Sequence, residues 1–458
     1  MYLSNIRQVC LVVTSLLISA AALSASCVTD SANPGCVHFE WKTSGSTDQY
    51  TNAPTAPEQQ WFQEHMYRIM GYQGYWNYRL SWFANSWIYQ DSSGLYYGSA
   101  VAQQHPEWIL KNRYGTKLFI NWNCRNGHCD QYVPDYSNED FRQWWISQAK
   151  SAIYSGFRGI FVDDVNLVMN LNNGNGLDTP IDNNTGQPMT QQAWEQYFAD
   201  FLTEIRSALP NAEICHNALW YAGNFSPATD PFVMQEIQAA DYINLERGFG
   251  DSGLTNAGPW AIQNLFSYID VVHQAGKHVL TAQYGFDGQF SLASYFLINN
   301  GMDLFSNDSI TPLNWPAMYD VDLGTPLGDR RAWNGLIRRD FSKGIALINP
   351  PNSATVTVDL PGNFTDLNGN PLTTITLAGR QGAVLLGTIQ TTGPLPDGTY
   401  QLTNQNSMLV LDDANQSKQP GNAMIQWANN GGRNQFWNFV WNGSGYYTIQ
   451  NQMSQLYL

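Results

Sequence analysis

The sequence is poor in basic residues and in charged residues of either sign. Its 458 residues include 22 Lys and Arg against 37 Asp and Glu, a net charge of −15, and only 13% of residues are charged. Nucleic acid binding depends on a basic surface, so the composition argues against a nucleic acid partner. After the N-terminal region no stretch reaches about 18 apolar residues, and the sequence therefore predicts no membrane span.

Motifs for cofactors are also lacking. No glycine-rich phosphate turn follows the first predicted strand, which counts against a doubly wound dinucleotide-binding sheet. Cys124, His128 and Cys129 lie close together, but no second ligand pair follows them at zinc spacing. The sequence therefore predicts no cofactor and no metal site, and seven histidines in all give little support to a metal-dependent esterase or deacetylase.

The N-terminus has the pattern of a secretory signal peptide over residues 1–25. Arg7 precedes an apolar run from Val9 to Leu23, and the small residues Ser24 and Ala25 follow it. We therefore expect a secreted protein, extracellular or periplasmic, and a monomer. In an oxidising compartment the spacings predict the disulfides Cys27–Cys36 and Cys124–Cys129, with Cys215 unpaired.

Short apolar runs alternate with helical patterns over residues 37–330. This alternation predicts an α/β fold with repeated βα units, and eight strands in this length match a TIM barrel, with a doubly wound sheet as the alternative. The strands are predicted at Val37–Trp41, Arg79–Asn85, Lys117–Trp122, Gly159–Asp163, Ala212–Asn217, Asp241–Glu246, His278–Gln283 and Met302–Ser306.

Shorter β-like runs separated by turns follow the barrel region. They predict a small antiparallel β domain over residues 335–388, and residues 389–396, rich in Thr and Pro, predict a linker. Residues 398–411 then align with residues 445–458 at seven of fourteen positions, an internal repeat. The second copy stops at Leu458, where the first continues, so we expect a module that is truncated.

The tail, residues 397–458, resembles the ricin-type β-trefoil lectins. The resemblance rests on Leu411-Asp412, on Gly421-Asn422-Ala423 followed by Gln426-Trp427, and on Asn434-Gln435-Phe436-Trp437. It implies a partial β-trefoil that binds carbohydrate. Carried over from the family, the sugar site is lined by Asp412, Asp413, Gln426, Trp427 and Asn434. Retention of the fold without the pocket is the alternative.

Two carboxylates are the best candidates for catalysis in the barrel. Catalytic side chains of TIM barrels come from the carboxyl ends of the strands, and glycoside hydrolysis uses a pair of carboxylates. Asp163 and Glu246 each end a predicted strand, and alternation places Asp163 on the face of Phe161. Asp164 is then expected to point away or to cap the next segment, although a shift of one residue exchanges the two aspartates.

Several further side chains are predicted near the same strand ends. Aromatic residues make up 14% of the chain and suit either sugar stacking or a large core. We expect Asp164, Trp122, His216, Asn217 and Tyr284 to contact the substrate. A buried structural role is the alternative for His216. A Cys215–His216 nucleophilic dyad is disfavoured, because adjacent strand residues point to opposite faces.

The segments around these carboxylates resemble glycoside-hydrolase-like barrel families. Residues 154–164 and Asp241–Glu246 look like the fourth and sixth strands of such barrels, and Arg339–Asn349 looks like the entry into their β domain. Polygalactosaminidases have a similar layout, with an Asp after strand four and a Glu after strand six. The resemblance implies polysaccharide degradation with Asp163 and Glu246 as catalytic residues. The alternative is a non-catalytic carbohydrate-binding protein on the same barrel.

Overall fold

Eight parallel strands close into a barrel. The computed structural model describes residues 32–218, 220, 228–283, 288–307, 310–389, 395, 397–441 and 446–458. The first to eighth barrel strands are His38–Lys42, Met66–Gly71, Ser86–Asp91, Gly159–Val165, Glu213–Ala218, Tyr242–Glu246, His278–Gln283 and Leu304–Asn307. The first strand pairs in parallel with both the second and the eighth, which closes the barrel and confirms the predicted TIM architecture.

Two of the eight predicted strands were wrong. The region predicted as Arg79–Asn85 consists of turns, and the third strand begins after it, at Ser86. Within Lys117–Trp122 only Phe119–Ile120 is a strand, and it pairs with Leu171–Asn172 in a small sheet outside the barrel. The second barrel strand, Met66–Gly71, follows a helix without a break, so its apolar run continues the helical pattern and conceals the change.

Helices pack around the barrel and bury the outward faces of its strands. The longest, Gln191–Ala208, is capped by Thr190, whose side chain accepts a hydrogen bond from the backbone of Ala193. Its apolar face packs into the main core, which also contains the outward strand residues Val162 and Ile243. The helices are Asp48–Thr51, Ala56–His65, Ala100–Gln104, Glu139–Ser155, Gln191–Ala208, Pro231–Ala239, Ile262–Gln274 and Phe290–Ile298.

Short 3₁₀ helices complete the helical elements. They are Gly45–Thr47, Gln73–Tyr75, Pro106–Trp108, Gly248–Gly250, Ala317–Asp320, Ala414–Gln416 and Arg433–Gln435. No helix among the described residues is both long enough and apolar enough to cross a membrane.

Two antiparallel units follow the barrel. The first is a six-stranded sheet of Arg331–Trp333, Leu336–Phe341, Gly344–Asn349, Val356–Thr365, Pro371–Leu377 and Gln381–Ile389. The second contains the strands Gly398–Tyr400, Val410–Asp413, Met424–Trp427, Trp437–Trp441 and Tyr447–Asn451. Both agree with the predicted fold class of a barrel followed by antiparallel β units.

The cysteines agree with the predicted pairing wherever they are described. Cys124 and Cys129 form a disulfide, and Cys215 is a buried free thiol. Cys36 is disulfide-bonded, and its predicted partner Cys27 lies outside the described residues.

Ion pairs and packed rings fill the amino-terminal end of the barrel interior. The carboxylate of Glu213 receives hydrogen bonds of 2.7 Å from both Arg68 and Arg158 and one of 2.8 Å from the indole of Trp87. A cluster of eight buried residues fills the interior next to these ion pairs. Its members are Tyr67, Met70, Trp87, Phe161, Cys215, Tyr242, Leu280 and Leu304. The barrel is therefore closed below, and its open end lies at the carboxyl ends of the strands.

Candidate active site at the barrel mouth

Asp163 lies in the wall of the mouth, near the carboxyl end of the fourth strand. Its Oδ2 accepts a 2.5 Å hydrogen bond from the Tyr89 hydroxyl, and its Oδ1 accepts a 2.6 Å bond from Asn217 Nδ2. The backbone N–H of Asp164 donates a third bond of 2.9 Å to Oδ1. Two donors from the neighbouring strands and one from the next residue of its own strand fix the orientation of this carboxylate.

The backbone bulges immediately after Asp163. Pairing of the fourth strand with the fifth loses its register between Val162 and Val165, and Asp164 has a positive φ of 54°. Such a bulge re-aims the side chain that follows it. The Asp164 carboxyl is near enough to Asp91, Asp163 and Glu246 for their charges to raise its pKa. The expectation that Asp164 points away rests on regular alternation, which the bulge interrupts.

Burial and the neighbouring carboxylates shift the protonation of Asp164. Burial is the largest cause, followed by the charges of Asp91, Asp163 and Glu246, and together they raise the pKa of Asp164 to about 7. This carboxyl can therefore hold a proton near neutral pH.

Asn217 connects the two predicted catalytic carboxylates. Its Nδ2 lies 2.6 Å from Asp163 Oδ1 and 3.3 Å from Glu246 Oε2, and its Oδ1 accepts a 2.7 Å bond from Asn244. Because both contacts share one nitrogen, those two carboxylate oxygens are at most about 6 Å apart. Glu246 is exposed at the rim, while Asp163 is half-buried, so the pair spans the wall of the mouth.

The third strand supplies two site residues that the sequence analysis missed. Tyr89 binds Asp163, and its ring lies 5.2 Å from that of Tyr72, which is 46% exposed at the rim. Asp91 is 2% exposed and accepts hydrogen bonds from the backbone and hydroxyl of Ser93 at 2.7 and 2.6 Å. Burial raises the pKa of Asp91 to about 6, despite the lowering effect of those bonds. With the third strand placed at Ser86–Asp91, the spacing of two would have put Tyr89 and Asp91 on the same face near the end of that strand.

His216 does not contact the mouth. Cys215 and Asn217 face the barrel interior, so His216 between them faces the helical layer, where it is fully buried. Burial, with the charges of Arg206 and Lys277, lowers the pKa of His216 to about 3. The expectation of a substrate contact was wrong, and the buried structural alternative describes this residue.

Trp122 and Tyr284 are the two aromatic residues that were predicted to contact the substrate. Trp122 does not end a barrel strand, as predicted, but lies in a loop beside the small sheet, where it is 66% exposed. The small sheet is formed by the segments that follow the carboxyl ends of the third and fourth barrel strands, so the substrate contact of Trp122 stays a prediction. Tyr284 lies outside the described residues.

The five residues predicted for sugar binding in the C-terminal module lie on two faces of a strand pair. Asp412 pairs with Ile425 and shares a face with Trp427, and Asn434 donates a 2.9 Å bond to its carboxylate. Asp413 and Gln426 lie on the other face, and Asp413 lines a cavity of about 170 Å³. One site lined by all five residues is therefore wrong, since alternation separates Asp413 and Gln426 from Trp427.

A closed barrel of eight parallel strands, with carboxylates at the carboxyl ends of its strands, defines a TIM-barrel protein. The chain belongs to the family described as hypothetical glycosyl hydrolase family 15, whose family model matches residues 74–345. Residues 388–458 match the ricin-type β-trefoil lectin domain-like family. No curated protein sequence matches the chain.

The solved structures to which the chain is similar include several carbohydrate-active enzymes. The glycoside hydrolase domain of PelA from Pseudomonas aeruginosa is 12% identical, with 60% of this chain and 94% of that one covered, at a TM-score of 0.36. A β-L-arabinopyranosidase from Geobacillus stearothermophilus in complex with arabinose is 10% identical, with coverages of 78% and 98% and a TM-score of 0.45. The maltogenic α-amylase AmyB from Thermotoga neapolitana is 12% identical, with coverages of 77% and 99% and a TM-score of 0.41.

Proposed function

We propose that the protein is a secreted glycoside hydrolase that cleaves a glycosidic bond in a poly- or oligosaccharide with Asp163 and Glu246. The observation that carries this proposal is the contact of one Asn217 nitrogen with both carboxylates. It limits the distance between two of their oxygens to about 6 Å, which suits a glycosidic bond bound between them, at the end of the barrel where TIM-barrel enzymes react.

Their positions favour different roles for the two carboxylates. Asp163 is oriented by three hydrogen-bond donors and acts as the nucleophile, while the exposed Glu246 at the rim protonates the leaving oxygen. Attack of Asp163 on the anomeric carbon breaks the bond to the protonated oxygen and forms a glycosyl–enzyme ester. Glu246, now ionised, accepts a proton from water, which attacks the ester and releases the sugar and Asp163.

The separation of the carboxylates supports retention of configuration. Retaining enzymes have carboxyl groups about 5–5.5 Å apart, whereas inverting enzymes need about 6.5–9.5 Å to admit a water molecule. The limit of about 6 Å between the nearest oxygens of Asp163 and Glu246 agrees better with the shorter range.

The other parts of the chain suit action on an extracellular polymer. Residues 1–25 are proposed to direct secretion, on the basis of their sequence pattern. The C-terminal module is proposed to hold the barrel on the polysaccharide, with Asp412, Trp427 and Asn434 as the sugar contacts, because Asp412 shares a face with Trp427 and binds Asn434. A tethered substrate raises the effective concentration at the barrel.

Hydrolysis of a polysaccharide panel by the full chain tests this function. We expect Asp163→Asn and Glu246→Gln each to lower kcat by about 10²–10⁴-fold on the substrate that the wild type cleaves. Glu64→Gln, an exposed carboxylate on the helix Ala56–His65, is the matched control and should keep full activity. Proton NMR of the first product should show the retained anomer. Unchanged hydrolysis by both mouth variants would contradict the proposal.

A further inference from the structure

Lys42 is an inward-facing cation at the bottom of the open mouth. It ends the first barrel strand, pairs with Met70 of the second, and is half-buried. Its Nζ lies 5.6 Å from the ring centroid of Phe161, which precedes Asp163 by two residues on the inner face of the fourth strand. The ammonium group therefore lies one layer below the proposed nucleophile.

The position of the first strand places Lys42 opposite the proposed catalytic pair. In the order of strands around the barrel, the fifth strand, which carries Asn217, lies four places from the first in either direction. Asp163 and Glu246 are on the two strands that flank the fifth. From this position the Lys42 side chain reaches across the barrel interior to Phe161 on the fourth strand, so its ammonium group lies beneath a sugar ring that contacts both carboxylates.

The Lys42 ammonium has spare hydrogen-bonding capacity. Within the part of the chain that the structure describes, it makes a cation–π contact with Phe161 and no hydrogen bond or ion pair. Glu40, two residues earlier on the same strand, is fully buried, and burial raises the pKa of Glu40 although the Lys42 charge opposes this shift.

The position and free donors of Lys42 point to a contact with the substrate. An ammonium group has three donors and no acceptor, so it binds an oxygen and repels another amine. We propose that Lys42 is a specificity-determining residue that donates a hydrogen bond to a hydroxyl oxygen of the sugar at the bottom of the mouth and selects against a free amino group there. This inference rests on the proposed sugar-binding role of the mouth.

Pairs of sugars that differ in one group test the selection directly. The probes are glucose with glucosamine, galactose with galactosamine and mannose with mannosamine, titrated by calorimetry into the full chain carrying Glu246→Gln, so that binding is measured without turnover. Wild-type Lys42 should give tighter binding of the neutral member. Lys42→Met should weaken the neutral sugar by about tenfold, the loss expected for one charge-assisted hydrogen bond, and should narrow the preference over the amine.

Matched variants separate this role from a structural one. Lys42→Arg keeps the charge and donors and should retain most of the preference, whereas Lys150→Met removes another half-buried lysine, on the helix Glu139–Ser155, and should change nothing. Sugar bound by the C-terminal module is common to all variants and cancels in the comparison.

Three results would overturn the inference. In the first, Lys42→Met binds the neutral sugars with an affinity within twofold of that of the protein with Lys42 intact. In the second, the protein with Lys42 intact binds the amino sugars more tightly than the neutral sugars. In the third, it binds none of the six sugars. Because these titrations need no hydrolysis, they also separate the two proposals. Hydrolysis that depends on Asp163 together with indifference to Lys42 refutes only the specificity role, and Lys42-dependent binding without hydrolysis refutes only the enzyme.

Discussion

Replacement of Asp164 by Asn should stabilise the protein at pH 8 and have little effect at pH 4. Asp164 has a pKa raised to about 7 by burial and by Asp91, Asp163 and Glu246, against 3.8 for an ordinary aspartate. A raised pKa means that the unfolded chain ionises first as the pH rises. The folded state therefore loses stability relative to the unfolded state from about pH 4 upward, and the full loss is reached above pH 7.

The size of the effect follows from the same shift. About three pKa units at about 1.4 kcal/mol each give an upper limit of about 4 kcal/mol, and partial exposure to solvent reduces this to about 2 kcal/mol. Asn has nearly the shape of Asp and tolerates positive φ equally, so the bulge should survive the substitution. The difference in free energy of unfolding between Asp164→Asn and the wild type should grow by this amount from pH 4 to pH 8.

Urea denaturation followed by near-ultraviolet circular dichroism measures this difference at pH 4, 6 and 8. Asp178→Asn provides a control of opposite sign, because hydrogen bonds from Asn112 and Asn173 lower the pKa of Asp178. Its effect should be small, because Asp178 lies near the surface, and should be destabilising above pH 4. A stability difference for Asp164→Asn that stays constant across the pH range would refute the reasoning.

Three further predictions concern the disulfide, the free thiol and the C-terminal module. Joint replacement of Cys124 and Cys129 by Ser should lower the free energy of unfolding by about 2 kcal/mol, measured by urea denaturation, because the disulfide closes a short loop. Cys215 is fully buried with its pKa raised by burial, so its thiol should react with Ellman's reagent only after unfolding, and fast reaction of the native protein would contradict its position. Trp427→Ala should weaken retention on insoluble polysaccharide in a pull-down while hydrolysis of soluble substrate stays unchanged, since Trp427 is 56% exposed and far from the barrel strands in sequence.

The sequence predicts the barrel better than it predicts the individual strands. Six of the eight predicted strands coincide with barrel strands, because βα alternation and apolar runs mark them clearly. The strand Met66–Gly71 was not predicted because no turn separates it from the preceding helix. The strand Ser86–Asp91 was not predicted because the turns before it contain strand-forming aromatic residues. With the third strand misplaced, Tyr89 and Asp91 had no assigned face, so no pattern connected them with Asp163.

Alternation along the strands explains which predicted site residues lie together in the structure. Strict alternation places Asp163, Asn217 and Glu246 on inner faces, where the structure has them in one hydrogen-bonded group. The same rule excludes His216, which shares a strand with Asn217 at an odd spacing, so the sequence already contained the correction. Lys42 was missed because a single lysine after an apolar strand has no motif, and only closure of the barrel brings it opposite the carboxylates.

The uncertainty about which of Asp163 and Asp164 faces the mouth has a structural cause. A regular strand sends adjacent side chains to opposite faces, so only one of Asp163 and Asp164 reaches the mouth of an ideal barrel. Here the left-handed residue at φ 54° interrupts that alternation, at a cost of about 1 kcal/mol for a residue with a Cβ. Substitutions can separate this backbone cost from the charge.

Asp164→Gly removes the carboxyl and suits the positive φ, whereas Asp164→Ala removes the carboxyl and keeps the strain. At pH 8 both relieve the same electrostatic penalty, so the Gly variant should be more stable than the Ala variant by about 1 kcal/mol in urea denaturation. The gap should not change with pH, because neither side chain titrates. An Ala variant as stable as the Gly variant would mean that residue 164 does not hold the left-handed conformation, and a regular strand would then return Asp164 to the face away from the mouth.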